Sequence, residues 1–213
     1  MNISTEHAGI RGVILAGGKA SRMGFVDKAL LKLGDREILQ HVIDRARPQV
    51  DSLAISVNRN SASFDKFGLP CVTDLRDAYA GPLAGIASAM SWHLEQAAAP
   101  ESWLACFPAD VPVFPTDLVP RLLATMKRHQ AQVTWTRSNG QVQPLFSLWS
   151  FALLPTIVDA MNRKLFGPRQ ILEELNDAVL EIDSECEPGS FFNINTPADL
   201  ASVKILHRFS ETP

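Results

Sequence analysis

Nowhere does the chain carry a run approaching the roughly 20 apolar residues that a membrane-spanning helix needs. Its first ten residues, MNISTEHAGI, hold neither a basic segment nor an apolar one, so no secretory leader is expected and the cytoplasm is the predicted compartment. Excess positive charge is also missing: 20 Lys and Arg against 23 Asp and Glu leave a net charge of −3. Such a balance provides no broad basic field for nucleic acid or an anionic membrane, so neither is an expected partner. A polyphosphate would have to be held by a local cluster of cations and backbone N–H groups. Cysteine is scarce. Cys71, Cys106 and Cys186 are far apart and form no CxxC pair, which speaks against both a zinc site and a disulfide framework. Internal repeats, low-complexity tracts and linkers are absent as well, and one domain over 1–213 is expected.

What is present is an alternation of short β-branched runs with helix-period runs, the pattern of an α/β sheet. Gly12-Val13-Ile14-Leu15-Ala16 reads as a buried parallel strand ending in two glycines. Ile38, Leu39, Val42, Ile43 and Ala46 fall on one helical face, and Pro48 stops that helix. Strands are predicted at Leu53–Val57, Cys71-Val72 and Trp103–Phe107, with a helix between the last two that opens at Pro82. That helix is expected to bury one stripe, made of Leu83, Ile86, Ala87, Met90 and Leu94. Thr116 is expected to cap a helix running to His129. Val133–Thr136 and Leu145–Trp149 read as a hairpin turning at Ser138-Asn139-Gly140, followed by a helix near 155–165. Thr196-Pro197-Ala198-Asp199 is a capping box opening a terminal helix. The predicted architecture has three layers: a mostly parallel sheet, helices on both faces, and the ligand at the carboxyl ends of the strands.

The most informative stretch is Leu15-Ala16-Gly17-Gly18-Lys19-Ala20-Ser21-Arg22-Met23-Gly24, with Asp27-Lys28 close behind. Small residues let backbone N–H groups approach an anion, while Arg22 offers a planar fork and Lys28 a flexible point charge. The stretch satisfies neither G-x-x-x-x-G-K-[ST] nor G-x-G-x-x-G. Asp110 follows a buried strand, framed by Pro108 and Pro112. On residue type alone it is either a turn aspartate or a ligand for Mg²⁺, which takes one or two carboxylates plus substrate phosphates. A triphosphate held by the glycine loop favours the metal ligand.

Those residues, L-A-G-G-K-A-S-R-M-G-F-V-D-K, resemble the signature loop of the molybdenum cofactor guanylyltransferases, the MobA-like proteins of the GT-A-like nucleotidyltransferases. The resemblance continues in order through Asn58-Arg59, Asp74, Gly81-Pro82-Leu83-Ala84-Gly85, Pro108-Ala109-Asp110-Val111-Pro112 and Asn193-Ile194-Asn195-Thr196-Pro197. It implies a Rossmann-like nucleotidyltransferase fold and transfer of GMP from GTP to the terminal phosphate of molybdopterin, with release of pyrophosphate. Mg²⁺ on Asp110 is the implied cofactor, and Lys28, Arg22 and Asp110 carry the chemistry. Leu15, Ala16, Gly17, Gly18, Lys28, Asn58, Asp74, Gly81, Gly85 and Asp110 are the implied GTP contacts, and Asn193 and Asn195 the molybdopterin contacts. Asp74 is otherwise a solvent-facing loop carboxylate, and the two asparagines otherwise only turn the chain into its last helix. Molybdoenzyme apoproteins or cofactor-delivery proteins are the implied recipients.

Two positions depart from the family pattern. Ser56 stands where relatives often have Asn, and Gln143-Pro144 where several have His-Pro. None of the five histidines is needed for chemistry. Cytidylyl and sugar-phosphate relatives typically read L-A-A-G, so Gly17 is the expected discriminator, its missing Cβ leaving room for a purine. A silent nucleotide-binding protein is the alternative outside enzymes, and the joint presence of Arg22, Lys28 and Asp110 speaks against it.

Overall fold

The first apolar run becomes an inner strand of a seven-stranded sheet, paired on both sides. The computed structural model describes residues 9–17, 28–58, 61–73, 81–172, 174–182 and 187–207. The strands are β1 (Ile10–Leu15), β4 (Ser52–Val57), β5 (Cys71–Thr73), β6 (Trp103–Pro108), β7 (Val133–Ser138), β8 (Gln141–Ser150) and β9 (Asp177–Ile182). Their order is β5-β4-β1-β6-β8-β7-β9, and only β8 runs antiparallel to its neighbours. A two-stranded ribbon, β2 (Lys32–Leu33) and β3 (Arg36–Glu37), stands apart from it.

Side chains alternate across this sheet and build two cores. On one face Ile10, Ile14, Ile55, Phe107 and Leu148 meet helices α1 (Ile38–Ala46) and α3 (Leu118–His129). On the other, Val13, Leu104, Cys106 and Trp149 meet α2 (Gly81–Glu95), α4 (Leu154–Asn162) and the short α5 (Arg169–Leu172). The expected three-layer α/β arrangement with a mostly parallel sheet is therefore what forms. The terminal helix α6 (Pro197–His207) packs through Val203 on a small separate cluster with Leu33, Ile38 and Ile194.

Several local expectations are corrected. Thr116 does not cap α3; Asp117 occupies that position, and Gln49 Oε1 accepts the N–H of Val119 at 2.9 Å. A buried glutamine 70 residues away thus satisfies a helix end that the local sequence offered to a threonine. Helix α2 buries far more than one stripe, since Ala84, Gly85, Ser88 and Ala89 are enclosed along with the larger residues. It lies between the sheet and α4, and small residues admit both neighbours. Strand β9 has no counterpart among the expected elements; it buries Ala178, Leu180 and Ile182 while the half-buried Val179 packs against the second core.

The hairpin β7–β8 turns on Asn139 and Gly140, both at positive φ (49° and 71°), as a two-residue turn matching strand twist requires. Its pairing breaks between Trp135 and Thr136, where the partner jumps from Ser147 to Gln143. Pro144 lies in the gap and has no N–H to give the ladder, so the strand bulges there. His41 and His93 are buried, each ring donating to a backbone carbonyl (Leu33 at 2.9 Å, Gly12 at 3.3 Å). Burial pushes both below the usual histidine range, which makes them neutral packing groups.

A line of aromatic rings crosses the first core: Phe107 to Phe114 (5.5 Å between centroids), Phe114 to Phe146 (5.0 Å), and Phe146 to Phe191 (5.0 Å). It ties β6 and β8 to the segment that leads into α6. Replacing Phe146 by Ala should cost roughly 3–5 kcal/mol by opening a cavity in this line. Urea and thermal unfolding check this, with a fall in Tm on the order of 10 °C expected for a chain of this size.

Candidate active site

Three adjacent parallel strands, β4, β1 and β6, end level with one another. Leu15 pairs with Ser56 on one side and with Pro108 on the other. Beyond this row the backbone is stitched twice more, by Ala16 N–H to Ser56 O at 2.9 Å and Ala109 N–H to Leu15 O at 3.2 Å. After β1 the chain moves to β4 and β5 on one side and later to β6 on the other, so the loops diverge between β1 and β6. Open α/β sheets bind ligands in such a crevice.

Leu15, Gly17, Ser56, Asn58, Gly81, Pro82, Gly85 and Leu145 line a cleft at this end of the sheet. Gly81 has φ +68°, and a Cβ there would come within 2.7 Å of the Phe166 carbonyl oxygen, which accepts the Leu83 N–H at 3.1 Å. Glycine is required at that position twice over, by conformation and by space. Gly85 lets α2 close on the strand ends, since a Cβ would lie 2.7 Å from Ser56 Oγ and 2.9 Å from a Leu15 methyl. Pro82, at the start of this helix, has no N–H to leave unsatisfied. The helix N-terminus and its partial positive charge face the cleft beside Gly17 and Asn58.

The open side of Gly17 is not vacant space for a purine. A Cβ built there runs into the Asn58 side chain at Oδ1. The missing Cβ therefore accommodates Asn58 first, and any contact of position 17 with a base involves that amide too. Ser56, the departure from the family pattern, is buried beneath Gly85, and Leu145 reaches the cleft from the bulge at Pro144.

On the other side of β1, half-buried Asp110 follows β6, and its main-chain carbonyl accepts the Ile194 N–H at 3.0 Å. Val113 O likewise accepts from Phe191 at 2.9 Å, so the 191–195 segment runs beside the 110–113 loop. This brings exposed Asn193 and Asn195 to Asp110. Lys28 opens a short helical turn (Lys28–Leu30) and donates from Nζ to Asn195 Oδ1 at 2.8 Å. The lysine expected at phosphate and an asparagine expected at the second substrate are thus in direct contact across 167 residues of sequence.

Gly18, Arg22 and Asp74 lie outside the described residues. Leu15, Ala16, Gly17, Asn58, Gly81 and Gly85 gather around the cleft end of the sheet, and Lys28, Asp110, Asn193 and Asn195 gather at the neighbouring strand end. Phe166, Leu145 and Asp199 join the site without having been expected there. The first two come from distant segments and carry no local signal. Asp199 was legible only as half of a capping box, which does form: its Oδ2 accepts from Thr196 N–H at 2.8 Å, and Thr196 Oγ1 accepts from Asp199 N–H at 3.2 Å.

Residues 12–179 match the family model of the MobA-like NTP transferase domain. This chain belongs to that family. A molybdenum cofactor guanylyltransferase of Mesorhizobium japonicum is 37% identical over 200 residues, spanning 91% of this chain and 94% of its own. One from Yersinia pestis is 36% identical over 193 residues, spanning 89% and 92%. In three dimensions the MobA-like chain superposes on molybdopterin-guanine dinucleotide biosynthesis protein A of Archaeoglobus fulgidus with a TM-score of 0.71. That pair shares 20% identity over 92% of this chain and 97% of the other. The protein is a nucleotidyltransferase. Among the described residues of this MobA-like enzyme no helix is long and apolar enough to cross a membrane.

Gly81→Ala tests how firmly the cleft wall is set. Strain at positive φ and the collision with the Phe166 carbonyl should cost roughly 1–3 kcal/mol of stability. Chemical denaturation measures that cost, and the folded fraction should bind nucleoside triphosphate more weakly than the parent protein.

Proposed function

We propose that this single-domain enzyme transfers GMP from GTP to the terminal phosphate of molybdopterin, forming the guanine dinucleotide cofactor and releasing pyrophosphate. The observation carrying this reading is the meeting of Lys28, Asn195 and the Asp110 loop at one strand end, within a chain of MobA-like sequence. It supports two phosphate-bearing substrates brought together there. The names of the relatives, molybdenum cofactor guanylyltransferases at 36–37% identity over most of the chain, support the choice of both substrates.

In this reading GTP lies in the cleft, with its base and ribose near Gly17, Asn58, Asp74, Gly81 and Gly85 and its triphosphate over Leu15, Ala16, Gly18, Arg22 and Lys28. Asn193 and Asn195 hold molybdopterin, presenting its phosphate from the far side. A phosphate monoester is nucleophilic at neutral pH, so the reaction needs no strong general base, consistent with His41 and His93 being buried packing groups. Attack on the α-phosphorus in line with the departing pyrophosphate then depends on alignment and on stabilising negative charge. Lys28 and Arg22 supply fixed positive charge, and loop N–H groups add donors.

The residues present fit a hard divalent cation. Asp110 presents carboxylate oxygen at the strand end while its carbonyl is engaged by Ile194, so the backbone that carries the carboxylate is held. Mg²⁺ takes such an oxygen and completes its shell with phosphates and water. Bound on Asp110, it would neutralise charge on the triphosphate. The dinucleotide product goes on to molybdoenzyme apoproteins or delivery proteins, pyrophosphate is released, and the reaction takes place in the cytoplasm.

Pyrophosphate release measured with GTP, CTP, ATP and UTP, each with molybdopterin and Mg²⁺, tests this reading. GTP should be strongly preferred; a preference for CTP would overturn the guanylyl assignment. Asp110→Asn should stay folded by circular dichroism yet lose on the order of 10²–10³ in rate. Excess Mg²⁺ should recover part of that loss. Near-parental turnover with an unchanged metal optimum would remove Asp110 from the metal site.

A further inference from the structure

The reading of Lys28 as a phosphate-binding group leaves open what aims it. Lysine carries a long, flexible side chain whose ammonium has no preferred direction, and fixing it in one place costs rotamer entropy. In this structure the Nζ group is directed by the Asn195 side chain. Asn195 is exposed, and its main chain is held by Asp199, whose Oδ2 accepts the Asn195 N–H at 2.9 Å and the Thr196 N–H at 2.8 Å. One carboxylate oxygen thus fixes two successive peptide units immediately beside the amide that meets Lys28. We infer that Asp199 is a positioning residue for the transfer reaction, acting through Asn195 to set Lys28 at the triphosphate and so coupling the two substrate-binding halves.

One contact sets this apart from ordinary helix capping. A capping box needs Asp199 to reach back only to Thr196, yet the same oxygen also takes the Asn195 N–H. The Asn195 N–H is also the foremost of the groups holding the Asp199 carboxyl below the usual aspartate range, with Lys28 contributing its charge from across the contact. A further consequence concerns Asn195: truncating it should weaken use of the nucleotide as well as of the pterin, because Lys28 loses its partner.

The experiment compares Asp199→Ala, Asp199→Asn and Thr196→Val, with Lys28→Ala as the reference for a lost ammonium. Thr196→Val removes the Thr196 hydroxyl and leaves the bonds to the Asn195 and Thr196 N–H groups in place, so it reports the hydroxyl half of the helix cap without touching Asn195. Expected are a loss of about tenfold in triphosphate affinity for Asp199→Ala by calorimetry, partial rescue by Asp199→Asn, and parental affinity for Thr196→Val. Adding Asp199→Ala to Lys28→Ala should cost little more than Lys28→Ala alone, because both act on the same group. Equal losses for Asp199→Ala and Thr196→Val, or additive losses in the double variant, would overturn the inference. A second readout does not depend on which nucleotide is used. The side-chain amide resonance of Asn195 in the ligand-free protein should shift in Asp199→Ala and not in Thr196→Val. A shift together with a nucleotide preference other than GTP would sink the guanylyl reading and keep the inference. An unmoved resonance would sink the inference whatever the nucleotide.

Discussion

The site depends first on the pairing of β1 between β4 and β6. Because all three are parallel and end in the row Ser56–Leu15–Pro108, three chain segments leave the sheet at the same level. Their onward routes diverge on either side of β1, so a crevice is left open without any side chain being carved away. Backbone bonds just past the row, from Ala16 to Ser56 and from Ala109 to Leu15, carry the strand geometry into the loops. Residues 16, 17, 58 and 110 thereby inherit positions from a rigid scaffold, although none of them lies in a strand.

The second half of the site comes from a segment that belongs to no strand. Phe191 inserts into the aromatic line of the first core with a backbone at positive φ (63°), unusual for a side chain of that size. Burial of the ring over-determines that conformation. Arg45 adds a two-pronged ion pair to Glu187 and donates also to Phe114 O, fastening the start of the segment to α1. An exposed ion pair of this kind contributes little alone, but its fork geometry and the shared carbonyl define direction. Hydrophobic packing holds the segment down, and the polar contacts at Asp110, Asn195 and Asp199 give it register.

Small residues recur wherever two elements close on the cleft. Gly85 admits α2 against Leu15 and Ser56, Gly81 admits the Phe166 carbonyl, and Gly17 admits Asn58. Each is a place where a neighbouring backbone or side-chain atom occupies the volume a Cβ would need. The three glycines thus bring backbone into a cleft wall that it shares with the side chains of Leu15, Ser56, Asn58, Pro82 and Leu145.

Much of this was legible in the sequence because it rests on local pattern. Continuous apolar runs gave the buried parallel strands, the 3.6-residue period gave α1 and α3, and Asn139-Gly140 gave the hairpin turn, since only αL-tolerant residues suit it. Thr196 and Asp199 announced a helix start. The glycine loop, Lys28 and the Asp110 turn announced phosphate chemistry. What escaped were relations between distant segments. Gln49 displaced Thr116 as the donor's partner at α3, α4 turned a half-buried helix into an enclosed one, and β9 formed against a neighbour its own residues only weakly predict. In the site the sequence by itself determined which residue types stand ready for a triphosphate. Only tertiary structure decided that Asn58 fills the space beside Gly17 and that Lys28 meets Asn195, because hydrogen bonds and close contacts across 41 and 167 residues depend on where the sheet places its strand ends, which no local pattern encodes.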